Sequence, residues 1–379
     1  MRQFCLVFIL FCGVTLGWAG DDRRQKIILD TDMVELFDDG IAMMMLAKAP
    51  DIELLGVTVV AGNTWVSEGT AYAIRQLEAI GATDVPVLQG VRLPLAPNRK
   101  ENIKEEIRLF GYGEGYLGSF AYEEPTSWKD VYVSRYKQEP SIEPADMHAV
   151  NFMIEQVKRY PHEVTVLAIG PCCNLAMAVR MAPEIVPLIK RVVYMGGAFT
   201  VPGNTTPAAE FNWWYDPEAI RIALRTPFKE QIVVGLDVCD RIELRKERYD
   251  RIIGLLKADK LQAMSHDNFL QTTFQERPDT VWHIWDIVAA ALCMDSSILK
   301  REMICHVDIN TQQGLSYGQS LAFPYNPPIG TQPVRIVMEV DEERLWAQSE
   351  IPVHDILHKL LNLRHENLPC ILDVPSRRA

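Results

Sequence analysis

Along this chain, short apolar runs alternate with stretches whose apolar residues recur every three or four positions. The runs at 27–29, 54–60, 164–168, 191–195 and 232–236 have the length and β-branched content of buried strands. Amphipathic stretches follow most of them, at 41–46, 68–80 and 175–180, with a charged helix predicted over 243–257. This alternation predicts an α/β fold: one mostly parallel, open sheet flanked by helices, with ligands bound at the carboxyl ends of the strands. A strand at 334–340 and a helix at 353–363 close the pattern. Residues 97–143 break the rhythm with charge, glycine and tyrosine, and both a flap over a site and a surface insertion are consistent with them. Length alone suggests about two domains. The unbroken alternation argues for one, spanning 20–379.

Charge and cysteine content narrow the setting. Arg2, an apolar run from Phe4 to Trp18 and the small residues Gly17 and Ala19 read as a signal peptide over 1–19, so a secreted or periplasmic protein is expected. The run is shorter than the roughly 20 residues that span a bilayer, and no later segment is apolar enough, so no membrane association is expected after signal removal. The net charge is −12, and −13 once Arg2 is removed, without basic runs, which is a poor fit to nucleic acid. Outside the signal, Cys172, Cys173, Cys239, Cys293, Cys305 and Cys370 are too scattered for a disulfide scaffold and lack zinc-site spacing. They read as small buried hydrophobes.

The stretch Asp30 to Asp39, DTDMVELFDD, lies between the first strand and its helix. Four aspartates and a glutamate within ten residues repel one another, and if the turn is buried a cation is the simplest compensation. Oxygen-only donors favour calcium or magnesium. A solvated loop with helix-capping aspartates has the same composition.

Three further clusters follow strand-like runs: Ala61-Gly62-Asn63-Thr64; Ile169-Gly170-Pro171 with Asn174; and Met195-Gly196-Gly197-Ala198 through Gly203-Asn204, Glu210-Phe211-Asn212 and Asp216-Pro217-Glu218-Ala219. In this order, with the acidic turn, they resemble the inosine-uridine-preferring nucleoside hydrolases, over nearly the whole chain from Lys26 to about Val340. The resemblance implies a Rossmann-like core, a homodimer or homotetramer, and a calcium-dependent enzyme that splits ribonucleosides into base and ribose. It implies calcium ligands at Asp32, Asp39, the Ile169 carbonyl and Asp286, with Asp30 supporting the metal site from behind. Asp38, Asn63, Asn204, Glu210, Asn212 and Asp286 would hold the ribose. The chemistry agrees: cleavage builds positive charge on the sugar, which carboxylates stabilise, and a metal-bound water of lowered pKa would give its proton to Asp32 as general base.

Two departures from the family pattern stand out. The common family turn is DxDPGxDD, whereas here Asp32 and Asp38 are six positions apart and Pro-Gly is absent, as in members with a longer turn. Trp285 stands where many members have a His before the last metal Asp, and Tyr112 where they have the His of a HGxxG motif. Base stacking on Trp213, Trp214, Trp282 or Trp285, or proton donation by His283 or Tyr112, would then serve the leaving group; large aromatics in a row also suit a plain core. Competing readings are a hydrolase of another ribosyl-like substrate and a calcium-dependent ribose-binding or nucleoside-binding protein without turnover.

Overall fold

The computed structural model describes residues 24–110, 116–255 and 269–347. The signal peptide expected at 1–19, Tyr112, the helix expected at 353–363 and Cys370 lie outside the described residues. Eleven strands are seen among them. These are β1 Gln25–Thr31, β2 Ile52–Val59, β3 Val87–Gln89, β4 Val164–Ala168, β5 Arg191–Met195, β6 Gln231–Val234, β7 Glu243–Leu244, β8 Trp282–His283, β9 Leu299–Ile309, β10 Ser320–Phe323 and β11 Gln332–Val340.

Nine strands form one sheet in the order β10-β9-β11-β6-β5-β4-β1-β2-β3, parallel from β11 through β3 and antiparallel where β9 pairs with β11 and β10. Neighbouring residues on a strand feed opposite faces: Ile27 and Leu29 join one apolar cluster and Ile28 the other, as Val193 does against Val192 and Tyr194. Burial on both faces makes these strands read as continuous apolar runs. The chain leaves β1 towards β2 and β3, then returns to β4 on the other side of β1. The order therefore reverses between β1 and β4, and a crevice opens at their carboxyl ends.

Two expectations need correction. The charged helix starts at Lys246, not at 243, because Glu243 and Leu244 pair as a strand with His283 and Trp282. Nor is the 97–143 segment a loose insertion throughout. Its helices Arg99–Phe110 and Trp128–Tyr136 pack on the body, with Tyr132 fully buried and its hydroxyl donating to Glu78. The five described cysteines are free and buried, as expected of small hydrophobes. No helix among the described residues is long and apolar enough to cross a membrane.

Arg99 ties this segment to the centre. Its side chain is buried, pairs with Glu106 at 2.7 Å, lies over the rings of Trp214 and Tyr317, and donates to the carbonyls of Trp214 and Tyr215. Those carbonyls end the short helix Phe211–Tyr215. Removing Arg99 strands the Glu106 carboxylate in the interior, so Arg99→Met should destabilise the protein by about 3–5 kcal/mol in urea unfolding. The double variant with Glu106→Gln should recover part of that loss.

Candidate functional site

The acidic turn sits at the carboxyl end of β1, inside the crevice. Asp30, Asp32, Asp38 and Asp39 are all buried, and Glu210 and Asp286 join them from distant parts of the chain. Neutral donors hold Asp30, Asp32, Asp38, Asp39 and Glu210. Asp30 Oδ1 accepts from Thr58 Oγ1 at 2.7 Å and Asn174 Nδ2 at 2.8 Å. Asp39 accepts from the Thr31 hydroxyl. Asp32 Oδ2 accepts from the Asn63 backbone N–H at 2.5 Å, whereas Asp32 Oδ1 is buried with no hydrogen-bond partner. The Asn63 turn can approach so closely only because residue 62 is glycine: a Cβ there would stand 2.1 Å from Asp32 Oδ2.

Glu210 precedes the helix Phe211–Tyr215 and caps it. Its Oε1 accepts from Asn212 N at 2.8 Å, and its Oε2 from Trp213 N at 3.1 Å and Gly197 N at 3.0 Å. Asn212 Nδ2 donates to the Ile169 carbonyl at 2.9 Å, leaving Asn212 Oδ1 buried and unpartnered. Asn204 Oδ1 accepts from Phe211 N at 2.9 Å, at the exposed rim of this loop.

Asp38 has a task that the sequence does not reveal. Its two oxygens accept from Trp285 N at 2.8 Å, Asp286 N at 2.9 Å and Ile287 N at 3.2 Å. It thereby caps the helix Asp286–Met294 and fixes Asp286 within the cluster, with at most its remaining lone pairs left for a sugar hydroxyl.

The lengthened turn is packed rather than loose. Met33 and Leu36 are fully buried, and Leu36 N donates to Gln76 Oε1 at 2.9 Å. Glu35 receives the Arg135 side chain at 2.7 Å and the Tyr136 hydroxyl at 2.6 Å. The extra residues thus clamp the acidic turn to the Trp128–Tyr136 helix.

Two of the expected stacking residues belong to the core. Trp213 is fully buried with Phe199 edge-on at 5.8 Å, and Trp214, also buried, donates Nε1 to Glu106 at 3.1 Å, so neither offers a ring face to a ligand. Trp282 and Trp285 are half-buried and meet Phe37 edge-on at 6.5 and 6.1 Å. His283, half-buried beside Trp285 at 6.5 Å between ring centres, pairs through its backbone with Glu243. Tyr116, one of the tyrosines of the 97–143 segment, has its ring 5.1 Å from that of Phe211.

Burial pushes Asp30, Asp32, Asp38 and Glu210 up to about 7, with Glu210 adding to the rise at Asp32 and Asp39 to that at Asp38. Asp39 and Asp286 are raised well above the carboxylate range by burial and by the acidic neighbours. The orphaned oxygens of Asp32 and Asn212 and this mutual repulsion fit a hard cation in the kind of donor offered. Among the described residues no three acidic, His or Cys groups converge closely enough to hold an ion without moving. The Ile169 carbonyl accepts from Asn212 with one of its two lone pairs.

A family profile described as inosine-uridine preferring nucleoside hydrolase matches residues 27–347. The chain belongs to this family. The nucleoside hydrolase turn, the GN loop and the Glu210 helix are the parts just described. Among the relatives, a probable uridine nucleosidase 2 of Arabidopsis thaliana is 32% identical over 229 residues, covering 60% of this chain and 64% of the relative. The chain spans under two thirds of the length of the first curated relatives it matches. The pyrimidine-specific ribonucleoside hydrolase RihB of Escherichia coli O9:H4 (strain HS) is 31% identical over 343 residues, covering 86% of this chain and 96% of the relative. The solved plant nucleoside hydrolase PpNRh1 superposes with a TM-score of 0.70 at 25% identity, covering 87% of this chain and 98% of that one. The chain therefore shares the single-domain, mostly parallel fold of that structure.

The raised carboxyls set a pH dependence. Folded Asp30, Asp32 and Asp38 titrate near 7 against an ordinary 3.8, and Glu210 near 7 against 4.5. Between about pH 4 and 7 the cation-free folded chain holds more protons at these sites than the unfolded chain, so their contribution to stability falls as pH rises through that window. A bound cation must displace those protons at low pH. Thermal melts should therefore show calcium raising Tm by several degrees more at pH 8 than at pH 5. An equal or larger shift at pH 5 would contradict this charge arrangement.

Proposed function

We propose that this protein is an exported, calcium-dependent nucleoside N-ribohydrolase that releases a free base and ribose, with pyrimidine ribonucleosides such as uridine as the first substrates to try. The observation that carries the reading is Asp32. One of its oxygens is fixed by Asn63 N, the other is buried and unpartnered, and Glu210, Asp39 and Asp286 surround it.

Hydrolysis needs a base for water and negative charge beneath the sugar. The Asp32 carboxylate, ionised once a cation shares the site, is the group placed to take a proton from water. As the bond between C1′ and the base nitrogen breaks, its electron pair leaves with the base and positive charge grows on the ribose. Asp32, Glu210 and Asp286 stabilise that charge. A calcium ion held by Asp32, Asp39, Asp286 and the Ile169 carbonyl would supply an acidified water and grip the 2′ and 3′ hydroxyls. Asn63, Asn204 and Asn212 offer the sugar donors and acceptors, with Asp38 holding Asp286 in place. Among the described residues, Trp285 and His283 are the expected groups for the leaving base.

The pyrimidine preference rests on the names of the relatives, uridine nucleosidases and a pyrimidine-specific hydrolase. Export rests on the signal-like N-terminus, and a homodimer or homotetramer on the family resemblance. A ribose binder without turnover has less support, since binding alone needs no carboxylate oxygen kept free of partners inside the crevice.

Residues 20–379 with calcium should release reducing sugar from uridine, and a chelator should abolish the release. Asp32→Asn should lower kcat by at least about a thousandfold while ribose still binds, measured by calorimetry. Full turnover by the variant would sink the assignment.

A further inference from the structure

The acidic turn contains a residue in an unfavourable backbone conformation. Leu36, two positions before Asp38, has φ +47°, in the left-handed region that a leucine rarely occupies. The common family turn is stiffened by a proline, which fixes φ, whereas this longer turn has no proline between Asp32 and Asp38. Another contact has to hold it.

Gln76 supplies that contact. It lies in the helix Val66–Ile80 and is fully buried. Its Oε1 accepts from Leu36 N at 2.9 Å, while its Nε2 donates to the Tyr72 carbonyl at 3.0 Å and meets Met33 Sδ at 3.4 Å. The same carboxamide lies against Gly40, where a Cβ would stand 2.0 Å from Gln76 Oε1 and 2.8 Å from its Cδ. Leu36 precedes the Asp38–Asp39 pair and Gly40 follows it, so one side chain touches the turn on both sides of the two aspartates. A leucine would fill this space without burying a polar group, but it offers no acceptor to Leu36 N.

We propose that Gln76 is a positioning residue for the cation site: its carboxamide holds Leu36 in the left-handed conformation and seats Gly40, and so sets Asp38 and Asp39 for an ion shared with Asp32 and Asp286. Gln76 acts through those aspartates and not by ligating the ion. The inference rests on the calcium reading for the identity of that ion. Loss of one hydrogen bond to a buried N–H shifts an equilibrium by roughly tenfold.

The test is calorimetric titration of calcium into chelator-treated protein, residues 20–379, with urea unfolding of the calcium-free protein as the stability control. Gln76→Leu, which keeps the bulk and removes the acceptor, should weaken calcium binding about tenfold. Ile74→Val, an apolar truncation in the same helix, should lower the urea midpoint while leaving calcium affinity within about twofold. Gly40→Ala, which forces the carboxamide off the turn, should weaken calcium binding as Gln76→Leu does, and it replaces that variant if leucine impairs folding. Calcium affinity within about twofold of wild type in Gln76→Leu, or an equal loss in Ile74→Val, would overturn the proposal while leaving the calcium reading intact. If the wild type binds no calcium, the ion reading fails. Amide hydrogen exchange read by mass spectrometry then decides separately for Gln76. Exchange over residues 33–40 at least about tenfold faster in Gln76→Leu supports its hold on the acidic turn, and unchanged exchange overturns it.

Discussion

Six carboxyl groups share one buried crevice, and the architecture around it follows from keeping them there. An unpaired buried carboxylate is costly, and like charges close together add to the cost. The groups seen holding them are neutral: backbone N–H groups for Asp32, Asp38 and Glu210, hydroxyls for Asp30 and Asp39, and the Asn174 amide for Asp30. Neutral donors fix the oxygens in space without neutralising them. Once a cation displaces the protons these raised carboxyls hold, their charge faces the cation and a sugar that becomes positive as its bond breaks.

Topology supplies these donors. The reversal of strand order between β1 and β4 opens the crevice, and helix starts point N–H groups into it. Asp38 and Glu210 each serve as helix caps, so the same contacts that complete two helices also orient the acidic cluster. The longer acidic turn is tied to the Trp128–Tyr136 helix through Glu35 with Arg135 and Tyr136. The departure from the common turn therefore comes with its own support.

Much of this was legible in the chain. The strands at 164–168 and 191–195 were readable residue by residue because both faces are buried, which leaves an uninterrupted apolar run. The acidic turn and the GN and Glu210 loops were legible as ordered motifs. The partners of Asp38 were not, because they lie about 250 residues away and are backbone groups that carry no side-chain signal. Trp213 and Trp214 could be read either way, because an aromatic run looks alike for a core and for a stacking platform, and burial decides for the core. The short β7 strand at Glu243 was hidden by the charged helix that follows, since its pairing with His283 depends on a residue 40 positions away.

The most direct test of the buried carboxylate cluster as a cation and ribose site is a crystal structure of residues 20–379 grown with calcium and ribose. The account predicts one ion at roughly 2.3–2.6 Å from oxygens of Asp32, Asp39 and Asp286, with the sugar hydroxyls on the same ion. An ion bound elsewhere, or ribose bound away from Asp32 with the cluster left empty, would contradict it.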